Sequence, residues 1–310
     1  MSKTESKKSA NSVKIIEVGP RDGLQNEKQI LDIESKFQFA LDLIDAGLKT
    51  VELTSFVRAD RIPQMADAAD LFTRVKKYFG DDFEKFNFPC LVPNLKGFEN
   101  SQKVGVSEIA LFTATSEEFN KKNINATIEE SLNRFDQVMQ EVDQSRMKVR
   151  GYISTVFGCP YQGETSIETL LKVSEHLFKQ GVYEISLGDT IGVAHPEQVN
   201  TILERLKNEF DSDKFALHFH DTHGRAVANA YEAFRLGFTS FDASAGGLGG
   251  CPYAKGATGN VATEDLVEMF QLMGVDTGID LKKLAQASSK VLKKINRESE
   301  SRVHRLIMQS

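Results

Sequence analysis

Cysteine is scarce in this sequence. Only Cys90, Cys159 and Cys251 occur among 310 residues, an odd number with no Cys-x-x-Cys pair. Neither a disulfide framework nor a zinc knuckle is indicated, and a reducing compartment suits the chain. Long apolar runs are missing too, since nothing approaches the ~20 residues that cross a bilayer. The opening residues, MSKTESKKSANS, lack both the apolar core of a secretory signal and the Arg-rich amphipathicity of a transit peptide. The closing Met308-Gln309-Ser310 is not a peroxisomal address. We read residues 1–12 as a disordered tail and expect a cytoplasmic protein without membrane association. An excess of one charge sign is also absent: 38 basic and 44 acidic residues are spread along the chain, for a net charge of -6. That argues against nucleic acid as a partner, while a few local Lys and Arg side chains can still hold a small anionic substrate.

What the chain does contain is alternation. Short β-rich runs at 13–18, 50–53, 87–91, 108–112, 148–153, 183–187, 215–219 and 240–243 are separated by longer stretches with helical periodicity. Eight such runs in β-α order predict a closed (β/α)8 TIM barrel. In the first helical stretch Phe37, Ala40, Leu41 and Ile44 recur on one face, and Gly47 supplies a C-terminal cap. Pro196 suits the first turn of a helix that uses Val199, Ile202, Leu203 and Leu206, and Gly237 ends the one after strand seven. No Pro-, Gly- or Ser-rich linker divides the chain, so residues 13–310 form one domain. Helical patterns at 264–273 and 281–295 add C-terminal helices to close the outer ring.

In a barrel of this kind the chemistry sits at the C-terminal ends of the strands. Strand one ends in Gly19-Pro20-Arg21-Asp22-Gly23, which taken alone reads as a turn. Strand seven carries His218-Phe219-His220-Asp221, whose two-residue spacing puts both imidazoles on one face and turns Phe219 toward the helices. Two neutral imidazoles with Asp22 across the mouth make a mixed N/O site suited to an octahedral cation, and a buried structural histidine pair is the plainer alternative. After strand eight, a Gly-rich segment from Ala245 to Asn260 encloses Cys251. Its glycines permit left-handed backbone and close approach to a ligand, although by itself it also reads as a surface loop.

These motifs resemble the 3-hydroxy-3-methylglutaryl-CoA lyase family, within a superfamily of metal-dependent lyases and Claisen-condensing barrels. The acidic-Arg motif of strand one and His218-Phe-His220-Asp-Thr are shared with the condensing relatives. More specific to the lyases are Gly-Leu-Gln25-Asn26-Glu27-Lys28, Glu52-Leu-Thr-Ser55-Phe, Pro93-Asn-Leu-Lys-Gly-Phe, Lys121-Lys-Asn123-Ile-Asn and Gly-Gly-Leu-Gly-Gly-Cys251-Pro-Tyr. The resemblance implies Mg2+ or Mn2+ held by Asp22, His218, His220 and the side-chain oxygen of Asn260. It implies an acyl-CoA substrate cleaved between C2 and C3, with Arg21 facing the thioester oxygen and Cys251 on a lid as proton donor. Asp22 and His218 are both candidates for the base. Glu52 and Asp189 would orient this network, with Glu17 and Glu264 bracing the ligands from behind. Gln25, Ser55, Asn123, Tyr152, Ser186 and Thr190 are candidates for substrate contact. Cys159 and Cys90 read as buried thiols. His223 and Arg225 depart from the Tyr and Gln of animal-type lyases, which bears on acyl-CoA preference. Two further readings compete: a Claisen-condensing synthase joining acetyl-CoA to a 2-keto acid, against which the cysteine loop argues, and a non-catalytic metal-binding scaffold, which would need none of these side chains. A homodimer is the expected assembly.

Overall fold

The computed structural model describes residues 12–250 and 259–309. The expected tail therefore lies outside the described residues except for Ser12, which bridges to Asp276 and so belongs with the domain. Nine parallel strands form one sheet: β1 (Lys14–Glu17), β2 (Thr50–Val51), β3 (Thr54–Ser55), β4 (Cys90–Leu91), β5 (Glu108–Ala114), β6 (Lys148–Ser154), β7 (Glu184–Asp189), β8 (Phe215–Phe219) and β9 (Ser240–Ala243). Their order is β2-β1-β9-β8-β7-β6-β5-β4-β3.

The two ends of that order are consecutive in the chain. Between β2 and β3 stand only Glu52 and Leu53, and the amide of Glu52 donates to the Glu17 carbonyl (2.8 Å) while that of Leu53 donates to the Pro89 carbonyl (3.0 Å). The expected single strand at 50–53 is thus one stave broken in the middle. Its first half pairs with β1 and its second with β4. This hand-over closes the sheet into a barrel of eight staves with the predicted topology. The run at 87–91 shortens to β4, and an isolated bridge joins Asn87 to Thr50.

Helices cover the outside because their apolar faces match the outward residues of the strands. The helix Ile33–Asp45 begins where the Asp32 side chain accepts from the Ser35 amide, and it buries Phe37, Ala40 and Leu43. Gly47 follows at φ 106°, where a Cβ would sit 2.2 Å from the Gly278 carbonyl oxygen, so both backbone and space require glycine. The helix Pro196–Lys207 starts on Pro196 and buries Val199, Ile202, Leu203 and Leu206, as expected. At the C-terminus, Thr263–Leu272 and Leu281–Lys294 match the two expected helices, and a third, Arg302–Gln309, had no periodicity clear enough to predict it. Among the described residues no helix is long and apolar enough to cross a membrane.

Candidate active site

A cleft of about 640 Å³ opens at the C-terminal ends of the strands, and Arg21, Asp22, Gln25, Asn123, Tyr152, Thr190, His218 and His220 all line it. The local backbone explains why Arg21 and Asp22 reach it. Residues Gly19–Gly23 form one π-helical turn in which the amides of Arg21, Asp22 and Gly23 all converge on the Val18 carbonyl (3.2, 2.8 and 3.1 Å). Such a turn displaces consecutive side chains from the strand path, a device frequent at functional sites. Here it brings both charged residues to the barrel mouth.

Arg21 is buried between two carboxylates. Its Nη1 lies 2.7 Å from Asp22 Oδ1 and its Nη2 lies 2.6 Å from Glu52 Oε2. Burial works against its charge, but Glu52 and Asp22 outweigh that and hold the guanidinium cationic. The Tyr152 hydroxyl donates to Glu52 (3.0 Å), which fixes the carboxylate that fixes the arginine. Arg21 Nε is buried and has no hydrogen-bond partner among the described residues.

Donor atoms of Asp22, His218 and His220 lie within 4.8 Å of one another. Burial by itself would raise the Asp22 pKa, but Arg21, the two histidines and the Asn260 amide together lower it, so the group is ionised. His220 is pushed down to about 4 by burial and by neighbouring His218, leaving a neutral ring with a free lone pair at ordinary pH. His218 and His220 approach through their Nε2 atoms at 3.3 Å. Two adjacent ligands on an octahedral cation with bonds of ~2.1 Å stand ~3 Å apart, so the pair is already at a ligand spacing.

Asn260 arrives by a route the sequence did not disclose. Residues 259–261 run antiparallel to the end of β8, with the Asp221 amide donating to Gly259 O (2.9 Å) and the Val261 amide to Phe219 O (3.0 Å). Asn260 thereby pairs with His220, and its Nδ2 donates to Asp22 Oδ2 (2.8 Å) while its buried Oδ1 has no partner among the described residues. An ionised carboxylate, two imidazoles and an orphaned amide oxygen fit a small divalent cation, which would satisfy that oxygen.

The remaining expected residues divide. Gln25 donates to Asp22 Oδ1 (2.8 Å) and belongs to the site. Ser55 and Ser186 are fully buried and do not line the cleft; Ser186 lies mid-strand and instead donates to Asp242 (2.7 Å). Asp189 accepts from the amides of Val193 and Ala194 (both 3.0 Å) and so braces the loop after β7, not the arginine network. Burial raises its pKa to about 6.

Glu17 and Glu264 touch no ligand side chain. Glu17 accepts from the amides of Gly19 (2.8 Å) and Ala245 (2.9 Å) and from the Thr263 hydroxyl (2.7 Å). Glu264 accepts from the Gly246 amide and from Ser288. Both anchor the root of the Gly-rich segment, and burial raises both pKa values to about 7. Cys251 lies outside the described residues, following Gly250 on the cleft wall. Cys90 and Cys159 are buried as expected. Neither His223 nor Arg225 lines the cleft; Arg225 donates to the carbonyls of Ala194 (2.9 Å) and Val193 (3.0 Å) and holds the same loop as Asp189.

Two residues that matter were missed. Arg150 on β6 and Asp242 on β9 form an ion pair inside the barrel (Nη2 to Oδ1, 2.6 Å), and Asp242 Oδ2 lies 3.1 Å from His218 Nδ1. A signal existed: single charged residues flanked by Val149-Gly151 and Phe241-Ala243 in otherwise apolar strands are costly unless paired. At the cleft rim Arg58, Arg61 and Lys96 add positive charge above an apolar wall of Phe56, Ile62, Leu91, Pro93 and Phe112.

The chain is similar to known proteins over nearly its whole length. A family model described as HMGL-like matches residues 12–291. The cytoplasmic 3-hydroxy-3-methylglutaryl-CoA lyase of Rattus norvegicus is 47% identical over 291 residues, covering 94% of this chain and 83% of the relative. The mitochondrial hydroxymethylglutaryl-CoA lyase of the same organism is 46% identical over 94% of this chain and 88% of its own length. Among solved structures, the HMG-CoA lyase of Bacillus subtilis superposes with a TM-score of 0.92 at 44% identity, covering 97% of this chain and 99% of that one. An HMG-CoA lyase of Acinetobacter baumannii, solved with coenzyme A and 3-methylmalate, superposes with a TM-score of 0.89 at 33% identity, covering 96% and 95%.

Proposed function

The chain belongs to the HMGL-like family, and from that premise we infer that it is a carbon–carbon lyase cleaving 3-hydroxy-3-methylglutaryl-CoA to acetyl-CoA and acetoacetate. The observation that carries this reading is the convergence in one cleft of three metal-competent side chains and a buried arginine whose Nε is still available to bond. The relatives that match over most of the chain are lyases acting on this substrate by name. The rim of Arg58, Arg61 and Lys96 over an apolar wall suits the phosphates and the acyl arm of such a thioester.

Asp22, His218, His220 and Asn260 would hold Mg2+ or Mn2+ through two oxygens and two imidazole nitrogens, with substrate oxygens completing the shell. When bound, the cation supplies Lewis acidity that makes the tertiary hydroxyl of the substrate easier to deprotonate. Asp22 is the candidate that can accept that proton while the cation is held, because His218 would have its Nε2 committed to the ion and its Nδ1 facing Asp242. The C2–C3 bond then breaks: the hydroxyl-bearing carbon becomes the ketone of acetoacetate, and the bonding electron pair passes to C2 as a thioester enolate. Arg21 donates to the thioester oxygen as its charge grows, with Glu52 and Tyr152 keeping the guanidinium in place, so its contribution is larger in the transition state than in the ground state. Cys251 donates the proton that C2 requires, completing acetyl-CoA.

We further propose a homodimeric assembly, for which sedimentation is the test, and a cytoplasmic location. Cytoplasmic lyases among the relatives support that location, and mitochondrial relatives of similar identity make cell fractionation the check. The function is tested by product formation from 3-hydroxy-3-methylglutaryl-CoA with Mg2+ or Mn2+ and a thiol reductant, repeated after chelation. Acetoacetate and acetyl-CoA should appear only with the metal; no product from this substrate under either condition would overturn the assignment.

A further inference from the structure

The two histidines at the barrel mouth are held differently. His220 Nδ1 is buried with no hydrogen-bond partner among the described residues. His218 Nδ1 faces Asp242 Oδ2 at 3.1 Å. Asp242 in turn is buried and held by Arg150 Nη2 on Oδ1 (2.6 Å), with Arg150 Nη1 (3.3 Å) and the Ser186 hydroxyl (2.7 Å) on Oδ2. Arg150 is buried as well, and Glu184 Oε1 takes its Nε (2.8 Å).

A carboxylate paired with a buried guanidinium is ionised and can only accept. The nitrogen that faces it must therefore carry the proton. A neutral imidazole protonated at Nδ1 has its lone pair at Nε2, the atom that stands 3.3 Å from His220 Nε2.

We propose that Asp242, clamped by Arg150, is the positioning residue that fixes His218 in its Nδ1–H tautomer and so presents the Nε2 lone pair to the cation. This rests on the reading of Asp22, His218 and His220 as ligands and goes beyond it, because it makes one ligand pre-set by the barrel interior and leaves the other to be oriented by the ion. Partners that orient a metal-bound histidine usually change affinity by ~10–100-fold when removed.

Asp242→Asn is the informative variant. Arg150 will claim the amide oxygen, which turns the amide NH2 toward His218 Nδ1. The ring can accept that donor only by moving its proton to Nε2, where it blocks ligation, the same inversion that a carboxylate-to-amide change causes behind a catalytic histidine. Mn2+ titration should show affinity at least ~10-fold weaker than wild type in a variant whose circular dichroism spectrum is unchanged. A folded Asp242→Asn protein that binds Mn2+ as wild type does would overturn the proposal. If wild type itself binds no Mn2+, the ligand reading fails first, so the two failures are distinguishable. Should the variant not fold, the wild-type protein decides by itself. Long-range 1H–15N spectra of histidine-labelled, metal-free enzyme, recorded at a pH alkaline enough to leave the ring neutral, should show His218 Nδ1 protonated and Nε2 unprotonated; the reverse pattern would overturn the proposal.

Discussion

Arg21 is buried, and its charge is kept by two carboxylates. Its two terminal nitrogens are committed to Asp22 and Glu52, and only Nε lacks a partner among the described residues. Arg21→Met removes the cation and leaves two carboxylates facing each other, so the loss should be kinetic first. We expect kcat to fall at least ~10²-fold, the scale of a lost charge stabiliser. Cys251→Ala should lose a comparable factor through the missing proton donor. Steady-state kinetics on folded variants will check both, and near-normal turnover in either would remove that residue from the chemistry. The motif Arg21-Asp22, which alone reads as a turn, was legible only together with His218-Phe219-His220 and the family motifs around it. Its π-helical geometry was not legible, because that register depends on three amides sharing the Val18 carbonyl, which sequence spacing does not encode.

At the scale of elements, the Gly-rich segment is gripped from several sides. Glu17 ties its root to the end of β1, Glu264 and Ser288 tie it to two C-terminal helices, and Arg297 donates to the Gly249 carbonyl (2.9 Å). The C-terminal helices therefore brace the segment that leads to Cys251 as well as closing the ring of helices. Glu17 and Glu264 hold this position at a cost that depends on pH. Burial raises both from 4.5 to about 7. Between those values the native state keeps protons that the unfolded chain has released, so stability falls as pH rises through that window and levels off above it. Asp242 acts in a different range: burial would raise its pKa, but Arg150 and His218 lower it, so its contribution is lost only on acidification below ordinary carboxylate values. Glu17→Gln should flatten part of the decline in urea midpoint between pH 5 and pH 8. An unchanged slope would mean that Glu17 is ionised in the native state throughout.

For the whole molecule, the interior of the barrel is a column of charge as well as a packed core. Lys14 pairs with Glu184 (3.1 Å), Glu184 with Arg150, Arg150 with Asp242 and Asp242 with His218, so the bottom of the barrel is linked to the proposed cation site at its top. Arg150 also donates to the Tyr152 hydroxyl (2.7 Å), which leads through Glu52 to Arg21. An ion that binds at the mouth of the folded barrel and not to the unfolded chain should stabilise the fold by mass action, by ~2.7 kcal/mol when Mn2+ is at 100 times its Kd. Thermal denaturation with and without Mn2+ measures this. In His220→Ala the metal-dependent rise in Tm should largely vanish, and a full rise would exclude His220 as a ligand.

What the sequence determined by itself was whatever is periodic or local: the alternation of strands and helices, the β8 and β9 boundaries, the His218-Phe219-His220 face, and motifs dense enough to indicate a family. These follow from side-chain spacing along a single element, which a linear sequence records. Only the tertiary structure decided the rest. The stave broken at Glu52 and Leu53 shows itself only when the sheet closes. The pairing of residues 259–261 with β8 brings Asn260 to Asp22 across 238 positions of chain. Glu17, Glu264 and Asp189 were expected as supports, but which backbone they brace, and the loss of Ser186 from the cleft to Asp242, were decided by contacts between elements far apart in the chain. Asp242 and Arg150 could be buried only because each found its opposite charge on another strand, and partners so far apart in sequence are chosen by barrel closure.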